Sequence, residues 1–128
     1  MAQRDTVQKR VVREAFESAK RPLRPEEVFV RARKRRPQIG MATVYRSIKS
    51  LIAAHELCAV ELPGGATYYE IFRNEHHHHF HCRACEQVFE VESCPASMKD
   101  FSLPGFKVER HEMTLFGLCK SCTKNAEK

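Results

Sequence analysis

What this 128-residue chain lacks narrows it first. It has no apolar run of membrane-spanning length, and its start, MAQRDTVQKRVV, has no apolar segment of the kind that opens a secretory signal. No membrane partner and a cytoplasmic location are therefore expected. In that compartment thiols stay reduced, so six cysteines point to bound metal before disulfides. There is no internal repeat and no low-complexity tract beyond a run of histidines. The second part also lacks net charge: residues 72–128 carry eight Lys or Arg and eight Asp or Glu, whereas residues 1–71 carry fourteen against eight. The formal charge of +6 thus belongs to the first part, as in a polyanion-binding half joined to a half with another task. A chain this long makes one ordinary domain or two small ones, and small ones need cross-links beyond burial. The charge shift coincides with the onset of dense Cys and His. This places a boundary near residues 72–76 and two domains, 1–72 and 73–128.

In the first domain Val7, Val11, Val12, Ala15, Phe16 and Ala19 recur at helical spacing, with Lys9, Arg10 and Arg13 around the stripe. A second helix is predicted from Pro25, with Glu26 and Glu27 at its positive end and Arg33, Lys34, Arg35 and Arg36 at its negative end. Pro37 stops it, and Arg24 is a poor N-cap. The third segment, GMATVYRSIKSLIAAHEL, sets Val44, Ile48, Leu51 and Ile52 on one face and Thr43, Tyr45, Arg46, Lys49 and Ser50 elsewhere. Two extended runs, ELCAVEL and ATYYEIF, flank the turn signal Pro63-Gly64-Gly65. Three helices and a hairpin in this order make a winged helix-turn-helix, whose third helix fits the DNA major groove. Arg46 and Lys49 are then suited to phosphate or guanine. Tyr45 and Thr43 suit a thymine methyl or a backbone oxygen, and Lys9 joins the basic flank.

In the second domain Cys82-Arg83-Ala84-Cys85 and Cys119-Lys120-Ser121-Cys122 are two C-x-x-C pairs separated by 33 residues. Four thiolates close a tetrahedral zinc shell with no open position, the structural type, and such a site fastens a domain too small to hold itself by burial. Between the pairs QVFEVES and FKVERHEMTLFGLC alternate like strands, and PASMKDF suits a short helix. The fold class expected is α+β, with the winged helix followed by a small α/β dimerisation domain. Dimerisation is its natural task, because helix-turn-helix proteins read two half-sites.

The stretch HHHHFHCRAC at residues 76–85 holds five histidines. As a strand it turns His77, His79 and His81 to one face and His76, His78, Phe80 and Cys82 to the other, so it can serve two ions. Further ligands are on offer: Cys58 and Glu70 at the start and end of the wing, and Cys94 and His111 in the second domain. A site of Cys58 or Glu70 with His77 and His79 ties the two domains together and makes a metal-operated switch.

Taken in order, T-V-Q-K-R, I-G-M-A-T-V-Y-R, G-G-A-T-Y-Y-E, H-H-H-H-F-H-C-R-A-C and C-K-S-C resemble the ferric uptake regulator family of metal-responsive repressors across nearly the whole chain. The resemblance implies a homodimer that binds palindromic double-stranded operators when metal-loaded. It assigns Cys82, Cys85, Cys119 and Cys122 to structural zinc, and Glu70, His77 and His79 to the regulatory site. His76, His78 and His111 fall on a second site, with Cys94 where many members carry glutamate. Tyr45 matches a base-contacting tyrosine with Arg46 beside it, and Arg4 lies where a basic residue approaches the minor groove. The chain departs from iron-type members at Arg21, Pro22 and Leu23, which cannot replace their upstream histidine, and Cys58 stands where zinc sensors place a ligand. Thiolate is a soft donor, so the regulatory metal expected is zinc, with ferrous iron in an iron- or peroxide-sensing member as the alternative. A zinc hydrolase using Glu70 or Glu90 as base leaves the basic winged helix without a purpose, so no enzyme activity is expected; a metal-storage role is the other alternative, favoured by weak DNA binding under all metal conditions.

Overall fold

The structure is a computed structural model and describes residues 2–73, 75–92 and 103–126. It divides into two compact units, Met1–Asn74 and Glu75–Lys128.

In the first unit α1 (Ala2–Ala19), α2 (Pro25–Arg35) and α3 (Met41–Ala53) precede a hairpin of β1 (Leu57–Glu61) and β2 (Thr67–Ile71). Each helix contributes one apolar stripe to a shared core of Val12, Phe16, Val28, Val44, Ile48, Leu51 and Leu57. Burying one such side chain contributes about 1.5–3 kcal/mol, so this core accounts for the unit's cohesion. Arg24 brings no capping oxygen to α2. Glu27 compensates by reaching back to accept the Arg24 backbone N–H at 2.9 Å, half of a capping box. The wing turns at Gly64 and Gly65, whose φ angles of 102° and 92° lie in the left-handed region that glycine enters freely. Leu23 exchanges backbone hydrogen bonds of 2.8 and 2.9 Å with Tyr69, so the α1–α2 linker extends the wing by one rung. The order and packing are those of a winged helix-turn-helix.

In the second unit β3 (His78–Cys82) lies between β4 (Val88–Val91), antiparallel to it, and β5 (Thr114–Gly117), parallel to it; α4 (Lys120–Ala126) follows. The long strand expected over FKVERHEMTLFGLC is confined to its last part. Thr114 to Gly117 find backbone partners at His79 to Cys82, whereas residues 106–113 have no strand pairing among the described residues. A strand exists only where a neighbour satisfies its backbone groups, and β3 offers that edge for four residues. The helix expected over PASMKDF lies outside the described residues, as does Cys94.

Candidate metal centres and nucleic-acid face

The two C-x-x-C pairs meet because β3 and β5 run parallel. Their ends, Cys82 and Gly117, are register partners, so the turns that follow emerge side by side. Arg83 N–H donates to the Gly117 carbonyl at 2.8 Å and ties the first turn to the end of β5. The four Sγ atoms lie within 4.8 Å of one another, with Cys85 and Cys119 at 3.8 Å. A tetrahedron with metal–sulfur bonds near 2.3 Å has edges of about 3.8 Å, so the cluster has the dimensions of a zinc shell. The five described cysteines are free thiols.

The electrostatics agree with an ion. Cys82 Sγ accepts the backbone N–H groups of Cys85 at 3.5 Å and Cys119 at 3.4 Å. These donors, Cys85 first, pull its thiol down to about 6 against the opposing effect of burial. Cys122 is pushed up to about 12, chiefly by its hydrogen bond to Cys119, and burial raises Cys85. The backbone donors thus favour the Cys82 thiolate, whereas ionising Cys85 and Cys122 near pH 7 calls for a cation among the sulfurs.

A second cluster gathers His76, His78 and His111. His111 Nε2 stands 3.0 Å from His76 Nε2 and 3.2 Å from His78 Nε2. Metal–nitrogen bonds near 2.0 Å imply nitrogen–nitrogen edges of about 3.3 Å, so the three imidazoles fit one ion. His78 is lowered from its ordinary pKa by burial first, then by the neighbouring His76 and His111. It is therefore neutral near pH 7, the state a metal ligand needs. On the opposite face the rings of His77 and His79 are 5.0 Å apart. His77 Nδ1 lies 2.8 Å from the Glu75 carbonyl. A carbonyl only accepts, so this contact puts the proton on Nδ1 and leaves Nε2 with its lone pair available.

In the first unit Cys58 and Glu70 are register partners across the wing hairpin and share one face. The Cys58 thiol donates to a Glu70 carboxylate oxygen at 4.0 Å, and Glu70 is buried. On α3, Tyr45, Arg46 and Lys49 are exposed. Arg46 donates to the Thr43 hydroxyl at 2.9 Å, and both line a polar concavity with Lys9, Gln8, Ser47 and Ser50. Lys9, Thr43 and Arg46 are thus brought together, while Tyr45 and Lys49 lie outside that concavity. Arg4 lies in α1. Gln8 and Ser47 were not singled out from sequence, whereas Ser50 was placed off the apolar face of α3; the spacing 43, 46, 47, 50 is one helical face and is the signal that reveals Ser47.

The chain matches the ferric uptake regulator family over residues 2–116. It is 31% identical over 104 residues to the ferric uptake regulation protein of Campylobacter upsaliensis, covering 77% of this chain and 66% of that protein. A zinc-bound manganese uptake regulator has the same fold, with a TM-score of 0.71, 25% identity, and coverage of 88% of this chain and 87% of the other. FurB from M. tuberculosis, a zinc uptake regulator, gives a TM-score of 0.50 at 26% identity, with coverage of 93% and 95%. These relatives are named for iron, manganese and zinc, so their names do not single out a sensed metal. No described helix is long and apolar enough to cross a membrane. With a winged helix, a four-cysteine cluster and a family match over most of its length, the chain belongs to the ferric uptake regulator family of metal-dependent, DNA-binding transcriptional regulators, and is not an enzyme.

Proposed function

We propose that this protein is a zinc-responsive repressor that binds palindromic operators as a homodimer. The observation that carries zinc is the Cys58 thiol facing the Glu70 carboxylate on the wing. A soft sulfur beside a carboxylate favours zinc over manganese or ferrous iron. Glu70 and Cys58 with His77 and His79 are the regulatory ligands in this reading, and His76, His78 and His111, with Cys94, are the second set. Cys82, Cys85, Cys119 and Cys122 hold structural zinc. Arg4, Lys9, Thr43, Tyr45, Arg46 and Lys49 meet the DNA. The exposed side chains of Leu115 and Phe116 on β5 support pairing of two copies through the second unit.

The switch follows from differential affinity: ligands that bind the ion better in the DNA-competent arrangement shift the population toward it. In a dimer that arrangement sets two α3 helices one helical turn of DNA apart, about 34–36 Å. Fluorescence anisotropy with promoter DNA, after chelation and after loading with zinc, manganese or anaerobic ferrous iron, tests this. Zinc is expected to tighten binding most, by a factor in the range of about 5–150. Equal affinity in chelated and zinc-loaded protein removes the switch. A larger response to ferrous iron, with one oxygen gained on His77 after peroxide, replaces zinc sensing by peroxide sensing.

A further inference from the structure

The positive charge of the first unit extends beyond the residues assigned to DNA. Lys9 and Arg10 are neighbours on α1, and successive residues of a helix point about 100° apart. Lys9 opens onto the concavity shared with α3, lined by Thr43 and Arg46. Arg10 lines a different concavity with Arg35 and Arg36 at the end of α2, over Val7 and Val11, and with Glu14. A helix C-terminus attracts a cation or two through its dipole. Four in a row, Arg33, Lys34, Arg35 and Arg36, with Arg10 added from α1, exceed that need. The lining sets three guanidinium groups against one carboxylate, and that carboxylate, Glu14, stands 3.4 Å from Arg35. Arg10 and Arg36 therefore present an excess charge of two to whatever enters.

We propose that this concavity grips phosphates of the same duplex that α3 reads, outside the base pairs that α3 contacts, with Arg10 and Arg36 as the gripping residues. The inference rests on the DNA-binding reading above. Because Lys9 and Arg10 are consecutive, the two concavities lie on adjoining faces of α1, within the roughly 10–12 Å breadth of a helix with its side chains. That is the scale of a DNA groove, so one duplex can place phosphates in both. Contacts of this kind carry no base information. They add affinity uniformly across sequences and steepen its dependence on salt.

The test uses full-length, zinc-loaded protein and an operator duplex with long flanks, titrated between about 50 and 200 mM salt. The Arg10→Ala/Arg36→Ala variant is expected to lower the slope of log affinity against log salt by about 2, one phosphate contact each. Its affinity then changes about tenfold less across that range. Trimming the flanks should weaken the wild type toward the variant, while the ratio of zinc-loaded to chelated affinity stays unchanged. Arg10→Lys/Arg36→Lys restores the slope, which separates loss of charge from loss of fold, and Glu14→Gln tightens binding. Wild type without metal-dependent DNA binding overturns the functional reading, and this inference with it. Wild type that binds while the alanine variant and Glu14→Gln keep its slope and affinity overturns this inference alone.

Discussion

Replacing Cys82 by Ser weighs the metal against the apolar core in the second unit. Among its described residues the buried side chains are His78, Cys82 and Val88. Burying Val88 contributes about 1.5–3 kcal/mol, less than ordering a few residues costs. A structural zinc contributes about 10–16 kcal/mol at pH 7. The metal therefore dominates, and Cys82 is the sulfur that both backbone donors address, from Cys85 and Cys119. If the substitution forfeits even a third of the metal's contribution, about 4 kcal/mol, amide exchange protection in β3 and β5 falls roughly a thousandfold. Hydrogen exchange read by mass spectrometry measures this, with α1, α2 and α3 as the internal control because their core contains no ligand cysteine. Zinc content should fall in parallel. A Cys82→Ser protein with full zinc content and unchanged protection in β3 and β5 would show that packing, not the ion, holds the unit.

Three further outcomes are expected. Arg46→Ala should cost about 1–3 kcal/mol of operator affinity by anisotropy with no change in melting temperature, because Arg46 is exposed and its hydrogen bond to Thr43 is local to α3. Cys58→Ser should weaken activation by zinc more than by manganese in metal titrations of DNA binding; an unchanged metal ranking removes Cys58 from the regulatory set. Metal-free protein should lose stability as pH falls from above 6.5 through the lower pKa of folded His78, because the unfolded chain takes up the proton first. Urea unfolding across that window checks the sign, and His78→Gln should flatten the curve.

Much of the site was legible one residue at a time. A strand alternates faces whatever it packs against, so HHHHFHC already separated His77 and His79 from His76 and His78, and the structure gathers His76, His78 and His111 in one cluster. The Pro63-Gly64-Gly65 turn was equally plain, since only its two glycines enter the left-handed region easily. The end of FKVERHEMTLFGLC pairs, but its beginning does not: alternation reports a capacity to form a strand and says nothing about where a free edge will be.

The sequence by itself determined the helical stripes of the winged helix, the two C-x-x-C pairs and the sorting of the histidines, because each depends on backbone periods of a few residues. Tertiary structure alone decided which distant groups meet. Parallel pairing of β3 with β5 joins the two cysteine turns across 33 intervening residues, and it is in the folded unit that His111 reaches His76 and His78. Leu23 joins the wing at Tyr69, and Arg10 meets Arg35 and Arg36. Such meetings follow from strand register and helix packing, which many residues share and no local pattern encodes.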